Sequence, residues 1–459
     1  MLEKVTRLFG QVDMTQGRPW ERIVIFTIPM LIGNIAQQLY NTVDSIVVGK
    51  YVGDNALAAV GSASPIFNLL LVLFVGISMG AGIMVSQYYG SHDRENLSKT
   101  IGSTITLTAF ASILLMIAGS FAIRPVLVLL DTPESILDWC TSYLMILLWG
   151  IAGLAYYNIL CGILRGLGDS LSALVYLLIA TVINIVLDIW FVAGFHMGVA
   201  GVALATVIAQ LISAVLCVLK LRKMTDFFDM KMQYLKPDKE NIMTVIRLGL
   251  PSGLTQAIFS LAMVVVQSLT NSFGEMIIAA NVIIMRVDGF AMMPNFSFGT
   301  AMTTYAGQNV GAKEFDRVKL GAKQGTIIAA GTSAVITGLI LLFGPLLMGI
   351  FTNTQELAQL SADMMKILAV GYIAMAVTQS LSGVMRGAGD TVTPMWISLF
   401  TTVAVRVPLA YGLAYLTKTP ELPQGRYESL WISLLSSWVL GAVITFIFYR
   451  VGKWKKKAL

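Results

Sequence analysis

Long runs of apolar residues recur along the whole chain, and this pattern constrains the fold more than any single motif does. Twelve runs are long enough for a transmembrane helix, which needs about 20 mostly apolar residues. Of the 459 residues, 56% are hydrophobic and 12% are charged, whereas soluble domains carry about 25% charged residues. Soluble and disordered chains do not accommodate this composition, and a β-barrel would show short alternating segments. The sequence therefore predicts an all-α polytopic membrane protein with twelve transmembrane helices.

The longest polar stretch, residues 220–243, separates the predicted spans into two groups of six. We therefore predict an N-terminal lobe over 1–219, a linker over 220–243 and a C-terminal lobe over 244–459. The predicted spans are 23–48, 56–87, 100–123, 138–163, 171–194, 199–219, 244–270, 277–305, 321–350, 360–384, 392–417 and 429–449.

Three short motifs of the first half recur in the second half at a separation of 221 or 222 residues. The pairs are GSHDREN at 90–96 with GAKEFDR at 311–317, ILRGLGD at 163–169 with VMRGAGD at 384–390, and IPM at 28–30 with LPS at 250–252. An internal repeat of this kind predicts two pseudo-symmetric six-helix lobes. Transporters built from such repeats carry the substrate path between the repeats and expose it to each side in turn.

The basic residues indicate how the chain is oriented in the membrane. With the N-terminus placed in the cytoplasm, 24 of the 31 Lys and Arg residues fall on the cytoplasmic side and 5 on the outer side. Cytoplasmic loops of membrane proteins carry such an excess of Lys and Arg. We therefore expect a protein of the cytoplasmic membrane with both termini in the cytoplasm. The net charge of +6 reflects this orientation, so we expect no nucleic-acid partner.

No motif typical of an enzyme, nucleotide site or metal site stands out. The RGLGD and RGAGD segments lack the GxxxxGK[ST] pattern of a phosphate loop, and both predict short cytoplasmic turns. The three cysteines form no CxxC pair, and His92 and His196 lie in separate loops, so neither a disulfide framework nor a zinc site is indicated. We expect neither enzymatic activity nor a cofactor.

Carboxylates inside the predicted spans are the strongest functional candidates, because a charge at mid-membrane costs about 2.5–3.5 kcal/mol. Three acids lie there: Asp44, Asp188 and Asp288. Asp288 follows Arg286 by two residues, a spacing at which helical side chains do not face each other. Arg406 is a candidate partner. Two interpretations of Asp288 remain, a structural ion pair and an acid that contacts substrate.

Three otherwise apolar helices of the first half carry polar residues along one face. These stripes are Gln37 with Tyr40 and Asp44, Asn184 with Asp188, and Thr206 with Gln210. Together they predict a buried, hydrogen-bonded carboxylate site that takes up and releases a proton. The alternative is that each aspartate only caps or bonds the backbone near the outer interface.

Pro29 lies inside the first predicted span, 15 residues before Asp44, and predicts a kink there. The kink is either a moving hinge or a static bend. The 24 methionines suit either an adaptable binding surface or ordinary core packing. Candidate substrate contacts in the second half are Asp288, Arg286, Gln256, Met263, Met292 and Met293.

The spans, the repeat and several segments resemble the MATE (multidrug and toxic compound extrusion) family over essentially the whole chain, and are most similar to its DinF-type branch. The segments are IPMLIGN…LYNTVDSIVVG, SMGAGIMVSQYYGSHD, GILRGLGD and NIVLD. The resemblance implies export of amphipathic organic cations in exchange for H⁺ or Na⁺. It also implies a cation-coupling site at Gln37, Tyr40, Asp44, Asn184, Asp188 and Thr206, in which Asp44, Asp188 and Asn184 are candidate Na⁺ ligands.

Two departures from the family pattern bear on this site. Cys161 stands where related proteins carry an asparagine, which removes one polar group. NorM-type relatives use second-lobe acids, and this chain has Phe259 and Met375 near those places. The resemblance therefore implies ion coupling in the first lobe and not in the second.

Three function classes follow from these observations. The leading hypothesis is a monomeric antiporter in the lipid bilayer that exports small amphipathic organic cations, which carboxylates and aromatic faces attract. The alternative is a flippase of related architecture for lipids or lipid-linked sugars, although two acids and no base in the first lobe disfavour an anionic lipid. A receptor or passive channel would not need a duplicated fold with buried acids.

Overall fold

A computed structural model describes residues 10–456, among which α-helix predominates and no strand occurs. The α-helices are α1 (Pro19–Tyr51), α2 (Asp54–Gly90), α3 (Arg94–Leu129), α4 (Glu134–Trp149), α5 (Ile151–Gly166), α6 (Ser170–Asp188), α7 (Gly198–Arg222), α8 (Lys239–Ser272), α9 (Glu275–Gly311), α10 (Phe315–Gly349), α11 (Gln355–Ala369), α12 (Gly371–Gly387), α13 (Val392–Leu399), α14 (Val407–Leu416) and α15 (Ser429–Val451). Short 3-10 helices occur at Met232–Leu235 and Lys453–Lys456, and π-helical segments at Ile189–Gly194 and Phe400–Arg406.

The twelve predicted membrane spans are confirmed within the described part of the chain. Ten spans are long and apolar enough to cross a bilayer, and two bent helix pairs bring the number to twelve. The bent pairs are α4 with α5, at 53°, and α11 with α12, at 44°. The sequence did not predict these breaks, because both fall inside continuous apolar runs. At Gly150, a Cβ atom would lie 2.3 Å from the side chain of Val207, so this break requires glycine.

The chain divides into two compact units. The first contains the described residues up to Asp13 together with Ile28–Gly253, and the second contains Met14–Thr27 together with the chain from Leu254 onward. Helix α1 therefore passes from the second unit to the first beside Pro29, and α8 passes from the first unit to the second beside Pro251. Both halves thus have a proline near the point where their first helix changes unit.

The two RGxGD motifs form equivalent turns in the two halves, as predicted. Asp169 caps α6, and Asp390 lies one residue before the N-cap of α13; each carboxylate accepts a hydrogen bond from the backbone N–H three residues later. Gly168 and Gly389 precede these aspartates with φ angles of 87° and 94°, a region that glycine tolerates best. The sequence repeat is therefore also a repeat of local structure.

Helix α6 of the first unit carries polar residues on its buried side and apolar residues on its exposed side. On α6, Asn184 and Asp188 are fully buried, whereas Val182 and Val186 are 62% and 58% exposed. Within a bilayer the exposed valines face lipid, which is as apolar as they are. The polar groups point inward, where they find hydrogen-bond partners. This arrangement places the carboxylate of Asp188 inside the protein.

Candidate functional site

The first unit brings two of the three predicted membrane carboxylates together. Asp44 comes from α1 and Asp188 from the last residue of α6, and the amide group of Asn184 lies within hydrogen-bond distance of both carboxyl groups. Asp188 is fully buried, whereas Asp44 is partly exposed. Ionised carboxylates only accept hydrogen bonds, and two of them held close together repel each other. The arrangement therefore suits a proton or a cation that the two acids share.

Asn184 lies between the two acids and ties them to the rest of the network. Its amide nitrogen donates to Asp44 Oδ1 at 2.9 Å and to Asp188 Oδ2 at 3.1 Å, and its amide oxygen accepts from the Tyr40 hydroxyl at 3.3 Å. The opposite amide orientation would point the Asn184 oxygen at carboxylate oxygens, where no donor faces it. Asn184 thus fixes the positions of both acids relative to each other.

Two hydroxyl groups complete the surroundings of the pair. Thr206 Oγ1 of α7 lies 3.3 Å from the Tyr40 hydroxyl oxygen. Tyr143 of α4 is 8% exposed, and both aspartates act electrostatically on its hydroxyl group. Sequence reasoning missed Tyr143, because one tyrosine in an apolar helix is equally typical of ordinary core packing. Three helices besides α6 therefore contribute to the site.

The site contains an enclosed oxygen atom that is available to a cation. Asp188 Oδ1 is buried and has no hydrogen-bond partner among the described residues, a condition that is rare and costly in protein interiors. Within residues 10–456, no group of three or more His, Cys, Asp or Glu side chains could hold a metal ion. A Na⁺ ion here would therefore need amide and hydroxyl oxygens besides the carboxylates, and hard cations accept such ligands.

Gln37 is the one predicted member of the first-unit site that the structure leaves apart. Its amide nitrogen lies 3.5 Å from Asn41 Oδ1 on an exposed part of α1. Pro29 lies inside the same helix, as predicted, where it removes one backbone hydrogen bond. The structure therefore gathers five of the six predicted residues and places the candidate hinge on the helix that carries two of them.

Asp288 of α9 lies in the second unit with a partner that the sequence did not reveal. The Tyr372 hydroxyl donates to Asp288 Oδ1 at 2.9 Å. Arg406 is 9% exposed and acts electrostatically on Asp288. The Nε atom of Arg406 has no hydrogen-bond partner, and no ion pair joins Arg406 to Asp288 among the described side chains. Arg286 is exposed. Arg406 is thus the nearby cation, and the direct partner of Asp288 is a tyrosine.

The other candidate substrate contacts of the second half lie in different environments. Met292 and Met293 are 6% and 8% exposed, and Met292 belongs to the hydrophobic core of the second unit. Gln256 and Met263 are exposed on α8. Two of these four side chains are therefore buried and two are exposed, so they do not share one environment.

Comparison with known proteins matches this chain to one family. The MatE family model matches residues 29–190 and 251–412, so its two matches begin 222 residues apart, as the repeat does. The probable multidrug resistance protein YoeA of Bacillus subtilis is 30% identical over 457 residues, covering 98% of this chain and 97% of that protein. The DNA damage-inducible protein F of Escherichia coli is 28% identical over 345 residues, covering 73% of each chain.

Solved structures agree with the family match. An outward-facing multidrug resistance MATE family transporter of the MOP superfamily has a TM-score of 0.89 and 25% identity, covering 96% of this chain and 97% of that chain. A MATE structure in the straight conformation has a TM-score of 0.88, 25% identity and the same coverage. Proteins of this family are transporters and not enzymes. The chain therefore belongs to the MATE family of multidrug efflux transporters.

Proposed function

We propose that this transporter exports amphipathic organic cations in exchange for H⁺ or Na⁺. The observation that carries the proposal is the pair of Asp44 and Asp188, both of which accept hydrogen bonds from the amide of Asn184 between otherwise apolar helices. A pair of acids in an apolar environment is costly unless a proton or cation neutralises it. The relative YoeA is named a probable multidrug resistance protein, which supports the substrate class.

The pair can couple ion movement to a change of conformation through its charge. With a proton or Na⁺ bound, the two carboxyl groups attract each other through that shared cation. Once the cation leaves, two like charges face each other, and the arrangement that separates α1 from α6 becomes more favourable. Bending of α1 at Pro29 would move Tyr40 and Asp44 away from Asp188. A bound ion shifts this equilibrium only by its different affinity for the two arrangements.

Transport by the purified protein in liposomes tests this function. Vesicles that carry an imposed pH or Na⁺ gradient should accumulate ethidium, and accumulation should stop when an ionophore collapses the gradient. Imposing the two gradients separately identifies the coupling ion. Ethidium leakage that ignores both gradients would indicate a passive channel. Scrambling of labelled lipid without ethidium transport would support a flippase, and either result would overturn the proposal.

We also propose that both termini face the cytoplasm and that the loop between α14 and α15 is external, because of the excess of basic residues on one side. A membrane-impermeant maleimide should label Pro420→Cys in intact cells. Lys236→Cys, between α7 and α8, should be labelled only after permeabilisation. The native cysteines Cys140, Cys161 and Cys217 are buried and give a low background. The reverse pattern of labelling would refute this orientation.

A further inference from the structure

A cavity of about 680 Å³ in the second unit has basic residues at one end. It lies between the first turns of α10, the middle of α12 and the end of α15, and the 3-10 turn Lys453–Lys456 contributes to its lining. Its four basic side chains are all exposed. They are Lys319, Lys323, Arg450 and Lys455. The carboxylate pair described above lies in the other unit, so this cavity is a separate feature.

The opposite part of the cavity is apolar and open to the outside of the helices. Ile327 of α10 is 60% exposed and Phe446 of α15 is 50% exposed, whereas Leu381 of α12 forms a buried wall. Both exposed side chains lie on membrane-spanning helices, so acyl chains surround them in a bilayer. The cavity therefore has a cationic end next to an apolar surface that faces lipid.

Aromatic residues hold the basic end in place. Trp454 is 1% exposed; its indole N–H donates to the Tyr449 carbonyl oxygen at 2.9 Å, and the two rings stack with centroids 5.5 Å apart. The chain turns back at Gly452, whose φ of 73° is left-handed. Lys455 is thereby placed with its Nζ 5.6 Å from the Trp454 ring centroid. Tryptophan and tyrosine are enriched where membrane meets water, so Trp454 and Tyr449 are typical of headgroup depth.

The positive charge of the cavity is only partly neutralised. Lys319 forms an ion pair with Asp316 at 2.6 Å, but both side chains are exposed, and exposed pairs contribute little. Lys323 has no ion-pair partner in the described part of the chain. The guanidinium carbon of Arg450 lies 5.6 Å from the centroid of the Phe446 ring. In the described part of the chain, one of the four cations that line the cavity forms an ion pair with a carboxylate, so the cavity would repel an organic cation and attract an anion.

We propose that this cavity binds an anionic phospholipid, with the phosphate among Lys319, Lys323 and Lys455 and the acyl chains along Ile327 and Phe446. Basic pockets between helices at the cytoplasmic surface suit anionic headgroups. An apolar wall beside the charges favours a lipid over a soluble anion, because one lipid can contact both parts of the cavity, whereas a soluble anion contacts only the basic end. The proposal does not rest on the proposed transport function, since binding is measured without transport.

The full-length protein in an uncharged detergent tests this proposal through titration with phosphatidylglycerol and phosphatidylcholine. Native mass spectrometry should detect saturable binding of phosphatidylglycerol, and the thermal unfolding midpoint should rise with it, whereas phosphatidylcholine should do neither. Lys323→Gln with Lys455→Gln should weaken the apparent affinity about thirtyfold, or about fivefold for each cation removed. Lys323→Arg should retain binding. Lys323 is exposed, so the single variant Lys323→Gln provides a test in a protein that folds normally.

Lys236→Gln with Lys239→Gln is the matched control, because it removes the same charge from exposed positions in the first unit. Equal loss of affinity in both double variants would show unspecific attraction and overturn the proposal. Equal binding of the two phospholipids would overturn it as well. Glycerol phosphate is the soluble counterpart of the headgroup. If it bound as tightly as phosphatidylglycerol, the occupant would be a soluble anion and not a lipid.

Discussion

Asp44→Asn is expected to abolish gradient-driven export while the protein still folds and binds drug. Asparagine has nearly the shape of the protonated acid but cannot release a proton or carry a negative charge. The amide oxygen of the new asparagine can still accept the hydrogen bond that Asn184 donates to Asp44, so large destabilisation is not expected. Ethidium flux in liposomes with an imposed pH or Na⁺ gradient should fall to the level of protein-free vesicles, whereas ethidium binding in detergent should persist.

Asp288→Asn is the matched control, since it neutralises the membrane carboxylate of the other unit. In the wild-type protein the Tyr372 hydroxyl donates a hydrogen bond to Asp288, and the amide oxygen of the new asparagine can accept the same bond. This variant should change substrate affinity or stability but retain the response to the gradient. Wild-type export with an unchanged gradient response in Asp44→Asn would show that Asp44 is structural. Loss of gradient response in Asp288→Asn, with drug binding retained, would instead place the coupling site at Asp288.

Asn184→Leu is expected to damage both stability and coupling. Leucine fills a similar volume but removes both donors that face Asp44 and Asp188, and it also removes the acceptor for Tyr40. Leaving a buried polar or charged group without its hydrogen bond destabilises the folded protein. We therefore expect the free energy of unfolding to fall by about 3 kcal/mol. Denaturant unfolding in detergent measures this loss, and the liposome assay should show no gradient-driven ethidium flux.

Asn158→Leu provides the same substitution on another helix of the same unit. The Asn158 amide nitrogen donates to the Leu154 carbonyl oxygen of its own helix at 2.8 Å, and the side chain is partly buried. Losing one neutral hydrogen bond should cost about 1 kcal/mol and leave coupling unchanged. If the two variants lost equal stability and kept equal transport, the amide of Asn184 would only be a core hydrogen bond.

The sequence by itself determined the helical class, the number of spans, the repeat and the unusual acids. In hydrocarbon, the backbone must satisfy its own hydrogen bonds, so each crossing is a helical, mostly apolar segment that hydropathy and length identify. The same apolar solvent makes a carboxylate expensive, which is why Asp44 and Asp188 stood out without any structure. The periodicity of a helix then placed Tyr40 and Asn184 on the same faces as these acids.

Only the tertiary structure decided which of these faces meet. Gln37 shares a helical face with Tyr40 and Asp44, but its side chain forms a hydrogen bond with Asn41 instead. Tyr143 interacts electrostatically with the two acids from α4, for which the sequence predicted no polar stripe. Asp288 bonds Tyr372, on a helix far from it in sequence. Helical periodicity specifies a face within one helix, whereas contacts between helices depend on their packing and on local breaks such as the one at Gly150. For the same reason, the basic residues from α10 and from the end of α15 were not predicted to line one cavity.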